Sequence, residues 1–148
     1  MGKKVVAIGN EMMRDDGIGI CVAKELKNYL KIRDIELIIG ETDVEYCLDN
    51  IEDGDDLIIL DAAFEEDAPG TINLYSIEKL LFNRSIITQH QPSFLEAIRV
   101  YKMGVTGILI TIEIAEISFG LGISEKMKSM LPQIVEEVRK SIDDYIGG

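Results

Sequence analysis

The sequence predicts an α/β protein, a single three-layer α/β/α domain around a mainly parallel sheet. Three observations carry that expectation: short apolar runs recur along the chain, turn residues close them, and amphipathic helical stripes follow them. Each stripe can return over the sheet as a right-handed crossover, which makes neighbouring strands parallel and covers both faces. At 148 residues the chain fits one domain, 1–148, and a fold of that size buries roughly two thirds of the surface its unfolded chain exposes. No internal repeat, low-complexity tract or linker divides it.

The first strand is Lys4 to Gly9 (KVVAIG), an apolar run of the kind buried on both faces, ended by Gly9-Asn10. A loop, EMMRDD, follows it. From Gly17 onward Ile18, Val22, Leu26 and Leu30 form one helical stripe with Ala23 beside it. The order then repeats, with a strand at Ile35 to Ile39 and a short helix carrying Val44, Cys47, Leu48 and Ile51. A third strand covers Leu57 to Asp61, and Pro69-Gly70 turns the chain into Thr71 to Ser76, whose alternation fits an edge or mixed strand. Ile77 to Phe82 reads as a helical turn and Ser85 to Gln91 as a loop. Pro92 opens a helix whose Phe94, Leu95, Ile98 and Tyr101 share a face, ended by Gly104. Gly107 to Glu113 (GILITIE) is a further buried strand, and the stretch from Glu125 is a long amphipathic helix that Pro132 should kink or divide.

The formal net charge is -12, and the longest basic cluster is Lys3-Lys4, so nucleic acid and anionic membranes are excluded as partners by long-range repulsion. Cys21 and Cys47 fall within helical stripes without a CxxC pair, which marks them as reduced packing residues. The opening apolar stretch ends at Ile8, too short for a secretion signal or a membrane span, and the expected compartment is the cytoplasm.

Ligands of open α/β sheets gather beyond the carboxyl ends of the strands. That rule selects the loop after the first strand, with Asp15 and Asp16, and the end of the third strand, with Asp61. Acids brought together there repel unless a proton or a cation lies between them, so a metal is a natural resolution. His90, the one histidine, sits in a polar loop (TQHQP) and is available to complete a mixed O/N set suited to nickel, zinc, manganese or iron. On residue type alone, Asp16 reads as a helix N-cap, and Asp61 reads as a cap or a turn-ordering acid. A phosphoacceptor receiver domain shares the acidic pair and the strand-end aspartate, yet GILITIE ends in an acid where a receiver needs its lysine. A nucleotide site is disfavoured because the first loop sets two carboxylates where phosphate would approach.

The loop GNEMMRDDGIG after a first strand closely resembles the GN-x-x-x-x-DDG-x-G signature that opens the hydrogenase maturation endopeptidases. The resemblance continues through Gly40-Glu41-Thr42, LIILDA around Asp61, the turn at Ala68 to Thr71, His90, and GLGIS before the last helix. It implies a phosphorylase/hydrolase-like α/β/α fold whose metal-binding residues are Asp16, Asp61 and His90. It also implies a substrate: the nickel-loaded precursor of a nickel-iron hydrogenase large subunit, from which a C-terminal extension is removed. Nickel then serves as a recognition mark carried by the substrate, with zinc or another divalent ion able to occupy the purified protein. Gly40, Glu41 and Thr42 are the implied substrate-binding turn, and specificity is expected around Glu41 to Glu45 and the loop Ala62 to Pro69. A non-catalytic nickel chaperone would use the same three ligands. Two positions depart from the pattern: Glu41 replaces a glycine, and Ile114 stands where many relatives have proline. No serine or cysteine with a neighbouring base is present, so water is the expected nucleophile, assisted by metal or carboxylate.

Overall fold

The computed structural model describes residues 2–82 and 92–147, so the loop expected at Ser85 to Gln91, with His90, lies outside the described residues. β1 (Lys3–Ile8) leads through a 3-10 turn (Arg14–Gly17) into α1 (Ile18–Glu25) and α2 (Lys27–Ile32). β2 (Glu36–Glu41), α3 (Val44–Asp49) and β3 (Asp56–Ala63) follow, then β4 (Ile72–Ser76) and α4 (Ile77–Phe82). α5 (Pro92–Tyr101), β5 (Thr106–Glu113) and α6 (Glu125–Gly147) complete the chain.

The five strands lie in the order β2-β1-β3-β5-β4. All pairs are parallel except β4 with β5, which is antiparallel, so β4 is the edge strand its alternating residues suggested. One face of the sheet, with Val5, Ala7, Ile58, Leu60, Ile110 and Ile112, packs beneath α1, α2 and α6. The other, with Val6, Ile8, Leu57, Ile59 and Leu109, meets α3, α4 and α5. This is why the central strands read as unbroken apolar runs: both sides of the pleat are covered. Ile18, Val22, Leu26 and Leu30 are all buried as their spacing predicts, each contributing about 1.5–3 kcal/mol relative to exposure.

Four boundaries differ from expectation. The first helical run tightens at Leu26, whose N–H is shared between the carbonyls of Val22 and Ala23, so α1 and α2 are separate helices under one stripe. β2 continues through Gly40 to Glu41 because its ladder with β1 slips by one residue between Ala7 and Ile8. β3 runs two residues past Asp61, since Ala62 and Ala63 stay paired with Ile112 and Glu113 of β5. Pro132 does not divide α6: it is exposed, as is Lys128, the residue whose carbonyl loses its helical donor, and water can serve that carbonyl instead.

The amino end of the sheet is closed by a buried ion pair, Lys4 Nζ to Asp55 Oδ2 at 2.7 Å. Burial alone would raise the Asp55 carboxyl, but the N–H of Glu52, the Lys4 ammonium and the N–H of Gly2 outweigh it and hold the group below the ordinary carboxylate range. Among the described residues no helix is long and apolar enough to cross a membrane.

Candidate active site

From β1 the chain proceeds to β2 on one side, while β3 and β5 extend the sheet on the other. That reversal between β1 and β3 is the switch point at which open α/β sheets leave a crevice beyond their carboxyl ends. The 3-10 turn with both aspartates packs against β3 there. Two glycines allow the approach. Gly9, at φ +144°, has the carbonyl oxygen of Asp16 where a Cβ would stand, 2.3 Å away, so a side chain would push the acid turn off the strand. Gly19, in the first turn of α1, lies against the Leu60–Asp61 peptide, where a Cβ would come within 2.8 Å of the Leu60 carbonyl.

The two adjacent acids have separate tasks. Asp15 is fully buried and its carboxylate accepts four hydrogen bonds: from Ser124 N–H at 2.6 Å, Ser124 Oγ at 2.8 Å, Glu116 N–H at 3.0 Å and Ala115 N–H at 3.3 Å. It thereby clamps the acid turn to the segment between β5 and α6. A backbone bridge reinforces the clamp, with Gly120 N–H donating to Met12 and Arg14 N–H to Gly120. Asp16 is only partly buried, and its Oδ2 accepts the N–H of Asn10 at 2.8 Å. It does not cap α1, contrary to the expectation from residue type; Gly17 occupies that position, with no side-chain cap. One carboxylate is consumed by structure, and the other is half-buried and accepts one hydrogen bond.

Asp61 is buried within β3, one residue past Leu60, where the pairing of β3 with β1 ends. Its Oδ1 accepts the N–H of Ala62, the next residue of its own strand, at 2.8 Å. By alternation its side chain lies on the face covered by α3, α4 and α5. Asp16 thus lies in a turn that packs against β3, and Asp61 lies in β3 where its pairing with β1 ends, while His90 lies outside the described residues. Among the described residues no three His, Cys, Asp or Glu side chains gather as a metal centre.

An open cleft beside the acid turn is lined by Gly9, Asn10, Met12, Glu41, Thr42 and Leu121. Gly40 lies beneath it, buried against Cys47 of α3. Glu41 takes φ +53°, and its carbonyl accepts the Gly9 N–H at 3.0 Å. This left-handed backbone explains why a glycine belongs to the common pattern at this position. Arg14 (φ +49°) and Glu66 (φ +68°) adopt the same conformation in the loops after β1 and β3. Asp34 (φ +59°), just before β2 at the opposite end of the sheet, adopts it as well, so the conformation is not confined to this edge, and at Arg14, Glu41 and Glu66 no residue type announced it in the sequence. Glu41→Gly is expected to stabilise the protein by about 0.5–1 kcal/mol, the relief of a left-handed residue less the extra chain entropy of glycine. Urea unfolding checks it, and a loss of stability would show that the Glu41 side chain contributes more than the strain removes.

Ile114, the second departure, is buried and donates its N–H to Ala63 at 2.9 Å, a bond proline lacks, so β3 and β5 are joined one residue further toward the site. Neither cysteine is primed as a nucleophile. Both are free thiols, Cys21 in α1 and Cys47 in α3, and burial raises each, Cys47 to about 11.

Residues 20–141 match the family described as hydrogenase maturation protease. No curated protein matches the sequence significantly. Among solved structures, the chain is similar to the hydrogenase maturating endopeptidase HybD from E. coli, with TM-score 0.74, 21% identity, and 97% of this chain and 93% of that one covered. It is also similar to the NiFe hydrogenase maturation protease HybD from Thermococcus kodakarensis, with TM-score 0.71, 24% identity, and coverage of 95% and 98%. A third is the maturation protease HycI from Thermococcus kodakarensis KOD1, with TM-score 0.69, 20% identity, and coverage of 99% and 93%. At these identities the solved structures establish the fold, and the match over 20–141 establishes the lineage: the chain belongs to the hydrogenase maturation protease family.

Proposed function

We propose that this protease acts in the cytoplasm on a nickel-loaded precursor of a nickel-iron hydrogenase large subunit, removing its C-terminal extension, with Asp16, Asp61 and His90 engaging the nickel that the substrate carries. The observation that supports this reading is the division of labour in the acid loop: Asp15 is spent on the fold, whereas Asp16, in a turn packed against the strand that carries Asp61, accepts one hydrogen bond, from Asn10. Two carboxylates with the imidazole of His90 make a mixed O/N donor set, which suits a divalent ion such as nickel or zinc. An ion that arrives with ligands of its own does not require a complete resident set.

Binding of the ion fixes the precursor at the crevice, and the scissile peptide is then positioned within one encounter complex. Water attacks the carbonyl, assisted by the metal or a carboxylate; the raised thiols of Cys21 and Cys47 leave no cysteine for an acyl intermediate. The tail passes over the turn formed by Gly40, Glu41 and Thr42. Exposed Met12, Phe119 and Leu121 on the neighbouring loops supply apolar surface beside that path.

The test is the intact mass of a nickel-loaded large-subunit precursor before and after incubation with the wild-type protein or its His90→Ala variant. Loss of a C-terminal peptide with the wild type only is expected, and nickel-free precursor should remain whole. An unchanged mass with a wild-type protein that still binds nickel would replace this reading with that of a nickel chaperone.

A further inference from the structure

Glu113 ends β5, is 2% exposed, and among the described residues its Oε1 has no hydrogen-bond partner. Leaving a buried acceptor unpaired is costly, so the atom calls for a partner that the described residues do not supply. Its placement says where that partner comes from. In the β3–β5 register Asp61 lies opposite Thr111 and Ala63 opposite Glu113, so Asp61 and Glu113 are diagonal neighbours on adjacent strands with side chains on one face. With strands about 4.8 Å apart and a rise of about 3.3 Å per residue, such neighbours are roughly 8 Å apart, within reach of a long side chain. The other oxygen, Oε2, accepts the N–H of Glu65 at 2.8 Å, which directs the carboxylate beyond the strand end toward the loop that leaves β3.

Glu113 also secures that loop through its main chain. Its carbonyl accepts the N–H of Gly70 at 2.8 Å and its N–H donates to Thr71 at 2.8 Å, while residues 64–68, ahead of both anchors, are exposed. The ladder bond from Ile114 to Ala63 fixes the strand on the other side. The carboxylate is thus held at the carboxyl edge by the loop that leaves β3, and among the described residues its Oε1 is an acceptor left unspent.

We propose that Glu113 is a further substrate-engaging residue, whose Oε1 accepts a hydrogen bond from an N–H group of the precursor tail beside Asp61. The inference rests on the protease reading above and names a contact made by its substrate. An extended chain brings a main-chain N–H at every residue other than proline, and a carboxylate is a strong acceptor for such donors. Binding then recovers the cost of the unpaired oxygen, so part of the affinity for the tail is stored in the free enzyme.

The experiment compares wild type, Glu113→Gln and Glu113→Asp in steady-state cleavage of the nickel-loaded precursor, with thermal unfolding of each. Glu113→Gln keeps the shape and the bond to Glu65 but sets an amide donor where the free acceptor was. It is expected to unfold at or above the wild-type temperature and to lose at least tenfold in kcat/KM, mainly through KM. Glu113→Asp keeps the charge but withdraws it by one methylene, and should also raise KM. A purely structural role would move the unfolding temperature and leave KM alone. If the wild type cleaves and both variants match its kcat/KM within twofold, Glu113 meets no substrate and the proposal is overturned. If the wild type itself does not cleave, the protease reading fails and takes the proposal with it.

Discussion

Asp61→Asn is expected to lower cleavage of the nickel-loaded precursor by about 1000-fold, equivalent to roughly 4 kcal/mol in the barrier, without unfolding the protein. The substitution is isosteric, and the amide oxygen can still accept the Ala62 N–H that Oδ1 holds at 2.8 Å. The buried packing within β3 is unchanged. What disappears is one negative charge at the junction of β1 and β3, where attraction to a divalent ion is strengthened by the low exposure of the site. Asp16→Asn should show the same loss for the same reason, and the pair together should be little worse than either alone, because both act on one bound ion. Mass spectrometry of the precursor and a thermal melt of each variant suffice. Asp61→Asn cleaving within tenfold of wild type would mean that the charge of Asp61 is not used.

The architecture was legible because a sheet covered on both faces writes itself as apolar runs, and crossover helices write themselves as stripes. Val5 to Ile8 and Ile108 to Ile112 announce strands by composition alone, and Ile18, Val22, Leu26 and Leu30 announce one helical face. Boundaries were harder where pairing decides them. Ala62 and Ala63 have no strong preference for a strand, and only the ladder with β5 carries β3 past Asp61. The site was half legible. Position in the strand-loop-helix order drew attention to Asp15, Asp16 and Asp61, but not to the difference between the two neighbours. Asp15 finds its partners about a hundred residues away, at Ala115, Glu116 and Ser124, and no local pattern reveals such contacts. The left-handed backbone of Arg14, Glu41 and Glu66 was equally hidden, since none is a residue type that signals it. Glu113 looked like the acidic end of an apolar strand until its unpaired oxygen and its place diagonal to Asp61 were visible.

Asp15→Ala should destabilise the protein by about 3–5 kcal/mol, the larger stability effect of the two acids in the loop by several-fold. The truncation removes the common acceptor of the N–H groups of Ala115, Glu116 and Ser124 and the Ser124 hydroxyl, and the two donors of Ser124 are left buried. Ser124 also receives the Met127 N–H at the start of α6, so the loss should spread into that helix. Against a typical total of about 5–15 kcal/mol this is a large fraction, and the unfolding midpoint should fall by on the order of 10 °C. Asp16→Ala removes a single bond to Asn10 from a partly exposed side chain and should cost about 1 kcal/mol. The two variants therefore separate stability from chemistry. Asp15→Ala should cleave the precursor in the cold and lose activity as it unfolds on warming, whereas Asp16→Ala should stay folded and inactive throughout. An Asp15→Ala protein with a wild-type melt would deny the clamp, and activity retained by folded Asp16→Ala would deny that the Asp16 carboxylate is the working one.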